Sequence, residues 1–360
     1  MNEKITKFDE IGSEYWKADL KKDANATIEG AVFTASGRSA QSLIIQSAEI
    51  ENRRALLPAY TCQHIVEPFD WNGWKVDFYD INRDLTPNVD SFKKKLALNP
   101  GCIIIEGYYS FATAENIIPF LKEAQSSGTV IIEDITHSFL NQTQRIYADA
   151  DYEFCSLRKW SGLSDGGYAI SLRGKKLLSP QKTMETFVDE RHMAREVKAE
   201  YVKTLDPNKK RRYLELYGKA EELLDQDINT YAMSSQAYDD FCHLDFDYIK
   251  SRRRSNFQYL LTHIKSPYVY PIFTELPFGV VPIMFPVYIP EIRDSIRKEL
   301  IENRIYCPVH WPAPVQLDVA AREKSENIYN QIMSIPCDQR YKEQDMKRLV
   351  DIINSYGRGE

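Results

Sequence analysis

The chain has 360 residues, well above the roughly 150 of a typical domain, so its length predicts two domains. Apolar residues make up 43 % and charged residues 27 %, which excludes a disordered chain, a collagen and a coiled-coil rod. Lys and Arg number 46 against 52 Asp and Glu, giving a net charge of −6. This balance argues against a general nucleic-acid binder, because phosphate contacts need a surplus of Lys and Arg.

The sequence also favours a cytosolic protein. Its six cysteines are scattered and form no C-x-x-C pair, and residues 1–16 are polar without the apolar core of a signal peptide. The longest apolar stretch, residues 278–290, contains three prolines and is too short to span a bilayer. We therefore expect neither a signal peptide nor a membrane segment.

In the first half of the chain, short apolar runs alternate with amphipathic stretches. Helical spacing is seen at 40–48, 89–98 and 114–125. Strands are predicted at 55–58, 74–79, 102–105, 129–132, 153–157 and 168–172. Strands alternating with helices predict an α/β fold with a mainly parallel sheet flanked by helices.

The second half differs in character. Residues 180–264 are densely charged and poor in glycine, which predicts helices, and the basic runs at 209–212 and 252–254 are typical of solvated helix faces. Beyond them we predict strands at 268–273, 280–289 and 305–311, and helices at 291–303 and 343–356. These elements indicate a smaller C-terminal α+β domain, with the division at 1–245 and 246–360.

Chemically versatile side chains follow the predicted parallel strands. Glu106 follows one strand, Asp134 follows the next with His137 three residues on, and Ser156 and Lys159 close a third. Ligands bind beyond the carboxyl ends of such strands, so we expect these groups to lie at one edge of the sheet.

This set of groups suits pyridoxal phosphate (PLP). That cofactor needs a lysine amine, a carboxylate for its pyridine nitrogen, an anion cradle for its phosphate and a surface for its ring. Lys159 and Asp134 match the first two needs, and the glycine turn at 36–39 together with Ser156 matches the third. Tyr60 is a candidate for the ring surface.

Each feature alone has an ordinary explanation. A strand-end Asp often caps a helix, a lone Lys is usually a surface residue, and Ser-Gly is usually just a turn. The joint order favours the cofactor interpretation: a glycine turn, then D-x-x-H after a buried strand, then S-x-x-K.

At several motifs the sequence resembles the DegT/StrS family of pyridoxal-phosphate aminotransferases, which have the fold-type I (aspartate aminotransferase-like) architecture. In chain order these motifs are P-A-Y-T-C (58–62), I-I-E-D-I-T-H-S-F (131–139), S-L-R-K-W (156–160), S-D-G-G (164–167), R-R-R-S-N-F (252–257), Y-C-P-V-H-W-P (306–312) and I-P-C-D-Q-R-Y (335–341).

The resemblance implies roles for individual residues. Lys159 matches the Schiff-base lysine, Asp134 the partner of the pyridine nitrogen, and His137 a residue near the phenolic oxygen or imine. The implied cofactor-binding residues are Gly37, Arg38, Ser39, Tyr60, Cys62, Asp134, His137, Ser156 and Lys159. Candidate substrate residues are Glu106, Tyr109, His310 and Trp311.

The resemblance further implies a glutamate donor, a keto-sugar nucleotide acceptor, and a homodimer in which both chains shape each active site. Two departures mark a divergent branch. Family members usually have Gly-Thr where this chain has Gly37-Arg38, and an aromatic stacking residue about where Cys62 falls. The ring-stacking residue is therefore left open between Tyr60, Cys62 and another side chain.

Three alternatives compete with this interpretation. Residues 162–166 match G-x-S-x-G, the pattern of a hydrolase that would use Ser164 and His310, although a strand is predicted to follow where that pattern needs a helix. The chain could also be another PLP enzyme, such as a dehydratase, although those typically replace the lysine with His. A catalytically idle scaffold of the same fold is the third. We find no zinc-binding, nicotinamide-binding or P-loop pattern.

Overall fold

The computed structural model describes residues 10–357, so much of the segment used for the signal-peptide prediction lies outside it. The strands are β1 (Ile11–Gly12), β2 (Val32–Thr34), β3 (Arg54–Pro58), β4 (Lys75–Tyr79), β5 (Cys102–Glu106), β6 (Val130–Asp134), β7 (Tyr152–Ser156), β8 (Gly167–Ser171), β9 (Tyr270–Pro271), β10 (Phe285–Tyr288), β11 (Ile305–Tyr306) and β12 (Ile332–Ile335). The helices are α1 (Gly37–Ser47), α2 (Gln63–Trp71), α3 (Val89–Leu96), α4 (Ile118–Ser126), α5 (Glu185–Thr204), α6 (Pro207–Gln226), α7 (Ser235–Cys242), α8 (Phe246–His263), α9 (Arg293–Glu302), α10 (Val319–Gln331) and α11 (Glu343–Ser355).

Seven strands form the central sheet in the order β2-β8-β7-β6-β5-β3-β4. The neighbours from β4 to β7 are parallel, and β8 and β2 add an antiparallel edge. Every residue of β5 is buried, as expected for an isoleucine-rich strand covered by helices on both faces. The predicted α/β fold with a mainly parallel sheet is confirmed.

The C-terminal part holds a second, antiparallel sheet in the order β12-β10-β9. The strands predicted at 268–273, 280–289 and 305–311 are shorter than expected; for the last two, prolines at 282 and 308 lie just outside the strand and cannot donate a backbone N–H. The sequence analysis missed β1, β2, α2, α10 and β12 altogether. The domain division at residue 245 stays a prediction.

Residues 180–264 are helical as predicted and form α5 to α8. Helices α5 and α6 are each 20 residues long and pack against each other through an apolar cluster of their own. Within the described residues, no helix is long and apolar enough to cross a membrane.

Two of the C-terminal motifs pack against each other. Arg253 is fully buried and donates to the Gln339 side chain and to the Ile283 carbonyl, at 2.9 Å each. Asn256 donates to the carbonyl of Asp338 at 2.9 Å. Because Gln339 also donates to the Trp160 carbonyl at 2.9 Å, these contacts tie both motifs to the segment that carries Lys159.

Candidate active site

The parallel strands bring the predicted groups to one edge of the sheet. Glu106 at the end of β5 is the register partner of Asp134 at the end of β6, and Ser156 ends the neighbouring strand β7. Lys159 lies in the 3-10 turn that directly follows Ser156. A cavity of about 550 Å³ lies at this edge, lined by Ser156 and Lys159 together with His137, Tyr109 and His310.

Asp134 is buried, and its Oδ1 accepts a hydrogen bond from the Thr136 N–H at 2.8 Å. Burial raises the pKa of Asp134, while the charge of Lys159 and the bond from Thr136 oppose the shift. Thr136 also joins the two loops, since its Oγ accepts from the Ser156 N–H at 2.9 Å and its carbonyl from Trp160 Nε1 at 2.7 Å. The sequence analysis did not single out this threonine.

His137 is held between two aromatic rings. Its ring lies at 25° to Tyr109 and at 13° to Trp311, with ring centroids 5.8 and 5.9 Å away. Its Nδ1 accepts from the Tyr109 N–H at 3.2 Å. Burial, followed by the charges of Lys159 and His310, holds the pKa of His137 well below its usual value. The imidazole is therefore neutral and carries its proton on Nε2, where it can donate.

The N-terminus of α1 packs directly against Ser156. Ser36 caps the helix by accepting from the Ser39 N–H at 3.1 Å, and no acidic residue lies in the first turn. A Cβ added at Gly37 would lie 2.9 Å from the Cβ of Ser156, and one at Gly167 would lie 2.5 Å from the Ser36 carbonyl carbon. Only glycine allows this approach, which places the positive end of a helix beside a serine hydroxyl, as an anion cradle requires.

The Arg38 side chain points away from this cradle. It donates to the Leu224 carbonyl at 3.0 Å and to Asp225 at 2.8 Å, and forms an ion pair with Glu67 at 3.2 Å. His64 completes this surface cluster, 2.8 Å from Arg38. Only the backbone of Arg38 is therefore placed to contribute to the anion cradle.

The candidates for ring stacking are placed differently from one another. Tyr60 is fully buried against Tyr108, Tyr329 and Trp311, and its hydroxyl lies 3.0 Å from that of Tyr109. Tyr60 thus has no exposed surface for a cofactor, whereas Tyr109 and His137 line the cavity.

Cys62 and His310 flank the same region. Cys62 is the N-cap residue that precedes helix α2, and burial, opposed by the charge of Lys159, raises the pKa of its thiol to about 11. His310 Nδ1 lies 2.8 Å from the Ser334 hydroxyl, and burial followed by the charge of Lys159 lowers the pKa of His310 to about 3. Both side chains are therefore neutral at physiological pH.

The described residues do not form the arrangement that the alternative hydrolase interpretation requires. Ser164 Oγ accepts from Arg195 at 2.9 Å, and the next element is strand β8 where a nucleophile elbow needs a helix. Ser164 does not line the cavity that His310 lines. The G-x-S-x-G pattern is thus a coincidence of sequence.

Several cavity residues were missed by the sequence analysis because they come from distant segments. Helices α5 and α6 supply Arg191 and Glu221, and α9 supplies Arg297. The N-terminal residues 12–15 and the tail residue Arg340 complete the wall. No local pattern marks these residues in the sequence.

No protein-family model matches the chain. Among curated proteins, 123 residues are 30 % identical to dTDP-3-amino-3,6-dideoxy-alpha-D-galactopyranose transaminase of Aneurinibacillus thermoaerophilus, and this match spans about a third of each chain, 32 % and 33 %.

Solved structures match over a much larger share of the chain. A DegT/DnrJ/EryC1/StrS aminotransferase of Brucella abortus is 17 % identical with a TM-score of 0.65, covering 92 % of this chain and 87 % of that one. PseC of Helicobacter pylori, an aminotransferase involved in the biosynthesis of pseudoaminic acid, is 11 % identical with a TM-score of 0.65, covering 95 % and 98 %. The chain therefore has the fold-type I architecture of the DegT/DnrJ/EryC1/StrS aminotransferases, and the resemblance seen in the motifs is confirmed.

Proposed function

We propose that the protein is a PLP-dependent aminotransferase. The observation that carries this proposal is the convergence of Lys159 and Ser156 on one cavity, with Asp134 buried within electrostatic reach of Lys159 and the glycine-dependent N-terminus of α1 packed against Ser156. The similarity to a curated transaminase and to solved aminotransferases supports it.

The residues present fit the cofactor. The close contact between Gly37 and Ser156 leaves backbone N–H groups and a hydroxyl for the phosphate. Asp134, a buried carboxylic acid within electrostatic reach of Lys159, is the candidate partner of the pyridine nitrogen. Lys159 supplies the amine, and His137 can donate from Nε2 to an oxygen of the ring.

When bound, PLP supplies an electron-withdrawing ring that weakens the Cα–H bond of an amino acid. Lys159 Nζ is then the group placed to take the proton from the donor's α-carbon, since it faces the cavity. Asp134 would hold the ring nitrogen by its carboxyl group, and the aromatic rings of Tyr109 and Trp311 fix the orientation of His137.

We propose glutamate as the amino donor and a keto-sugar nucleotide as the acceptor. The curated relative acts on a dTDP-linked sugar, which supports this acceptor class. Tyr109 and His310 line the cavity, whereas Glu106 and Trp311 lie behind its wall, so the first two are the better candidates for contacting a substrate.

The experiment is a visible spectrum of the purified protein with PLP, followed by glutamate. A yellow protein whose absorbance shifts on adding glutamate supports the proposal, and a colourless protein with no cofactor uptake contradicts it. Cofactor binding without amino transfer to any acceptor would identify the idle scaffold.

Lys159→Ala tests the lysine assignment, with Lys176→Ala as the control at an exposed lysine. Borohydride reduction followed by peptide mass spectrometry should find the cofactor on Lys159 in the wild type and in the control. A reduced adduct on another lysine of the Lys159→Ala protein would show that the assignment is wrong.

The resemblance also leads us to propose a homodimer with shared active sites. Sedimentation equilibrium measures the mass directly, and the mass of a single chain would contradict this proposal.

A further inference from the structure

The cavity wall is rich in positive charge. Among the described residues, its lining includes Lys159 and four arginines but only two carboxylates. The arginines are Arg158, Arg191, Arg297 and Arg340, and the carboxylates are Glu14 and Glu221. Such an excess of positive charge favours anionic ligands, and an anion binds best to a cationic side chain that is not already paired.

Three of the arginines already have partners. Arg340 is buried and donates to both oxygens of Asp338 at 2.8 Å, and to the carbonyls of residues 13 and 14 at 3.0 Å. Arg158 and Arg191 share Glu221 at 2.9 and 2.7 Å. Their guanidinium groups therefore stabilise the wall.

Arg297 differs from these three. It lies on α9, and its Nε donates to the Cys307 carbonyl at 3.0 Å, which fixes the direction of the side chain. Among the side chains and backbone groups that the structure describes, none forms a hydrogen bond or an ion pair with its two terminal nitrogens. A partly exposed guanidinium thus lines the cavity with the N–H groups of both terminal nitrogens available.

We infer that Arg297 binds an oxyanion of the substrate, either a carboxylate or a phosphate. The planar guanidinium offers two parallel N–H donors to such a group, and the bond through Nε reduces the conformational entropy lost on binding. This inference rests on the proposed function for the identity of the ligand, since the donor brings carboxylates and the acceptor brings a diphosphate.

The test is calorimetric titration of the PLP-loaded protein with two unreactive probes. Glutarate represents the donor's carboxylates and thymidine diphosphate represents the acceptor. Arg297→Ala should weaken at least one probe by about tenfold or more, the usual loss when a charged hydrogen-bonding group is removed. Arg297→Lys should give a smaller loss of affinity, because lysine keeps the positive charge but lacks the two parallel N–H donors of the guanidinium.

Lys298→Ala is the matched control, because Lys298 is the next residue on α9 and its side chain is 80 % exposed. Weaker binding of glutarate would show that Arg297 binds a carboxylate of the donor. Weaker binding of thymidine diphosphate would show that it binds the diphosphate of the acceptor. The inference is overturned if the wild type binds neither probe, if Arg297→Ala leaves both affinities unchanged, or if Lys298→Ala lowers them equally.

Two further measurements separate other causes of failure. Thermal unfolding shows whether Arg297→Ala is folded, and Arg297→Lys replaces it if it is not. A protein that takes up no PLP contradicts the proposed function, and the same titrations without cofactor then still test Arg297.

Discussion

Two carboxyl groups lie side by side behind the candidate cofactor site. Glu106 and Asp134 are register partners on neighbouring strands, and both are buried. Oε1 of Glu106 has no hydrogen-bond partner among the described residues. Burial, followed by the charge of Asp134 and against that of Lys159, raises the pKa of Glu106 to about 8. We therefore expect Glu106 to be mostly protonated at neutral pH, with Asp134 as the charged member of the pair.

This arrangement predicts how stability depends on pH. The pKa of Glu106 is higher in the folded chain than its ordinary value of 4.5, so the folded state holds an extra proton between about pH 4.5 and 8. The stabilisation from this group is complete below that window and is lost as the pH rises through it. Its slope is at most roughly 1.4 kcal/mol per pH unit.

Glu106→Gln should flatten this dependence. Urea unfolding of the cofactor-free protein between about pH 5 and pH 8 measures the free energy of unfolding, and the variant should lose less of it than the wild type. Glu115→Gln changes an exposed glutamate beyond the end of the same strand and is the control. An unchanged slope in Glu106→Gln would show that Glu106 is ionised in the folded protein.

At the scale of elements, the approach of α1 to β7 forms the anion cradle. Gly37→Ala would place a Cβ 2.9 Å from that of Ser156, so the helix must move away from the strand. We expect the dissociation constant for PLP to rise by about tenfold or more, as when a charge-assisted hydrogen bond is lost. Fluorescence titration with the cofactor measures this constant.

Gly218→Ala is the matched control for that variant. Gly218 lies in α6, and a Cβ there would meet no atom within 4 Å. Alanine favours a helix, so this change should raise stability by about 0.4–1 kcal/mol and leave cofactor binding unchanged. Equal affinities in Gly37→Ala and the wild type would mean that the phosphate is bound elsewhere.

The sequence predicted the site residues whose positions follow from local strand patterns, and it missed those whose positions depend on the packing of distant elements. Asp134, Ser156 and Lys159 could be placed together because the carboxyl ends of parallel strands always meet at one edge. Arg191 and Arg297 could not, since their positions depend on how distant helices pack and no local periodicity encodes that packing. The same limit applies to the cofactor surface, where the sequence suggested Tyr60 and the folded chain buries it.

At the scale of the whole molecule, the N-terminal segment and residues of the C-terminal part, among them Arg340, together form part of the cavity wall. Strand β1 pairs in parallel with β11, and the N-terminal residues 12–15 line the cavity. Arg340 holds this segment by donating to the carbonyls of Ser13 and Glu14. Its guanidinium also packs over the ring of Tyr15, 4.1 Å from the ring centroid. The buried ion pair of Arg340 with Asp338 is thus one of the contacts that hold the segment, beside strand pairing and the hydrogen bond from Arg253 to the Tyr15 hydroxyl.

Breaking that pair should both destabilise the protein and release the N-terminal segment. Arg340→Met leaves Asp338 buried without its cation, which should cost about 3–5 kcal/mol of unfolding free energy in urea. The double variant Arg340→Met/Asp338→Asn should recover part of this stability but not the contacts to the N-terminal segment. Hydrogen exchange at residues 12–16 should therefore be faster in the single and the double variant than in the wild type. Lys347→Met, at an exposed pair on α11, should change stability by less than about 0.5 kcal/mol. Wild-type exchange at residues 12–16 in Arg340→Met would show that strand pairing and the other hydrogen bonds hold the segment in place without Arg340.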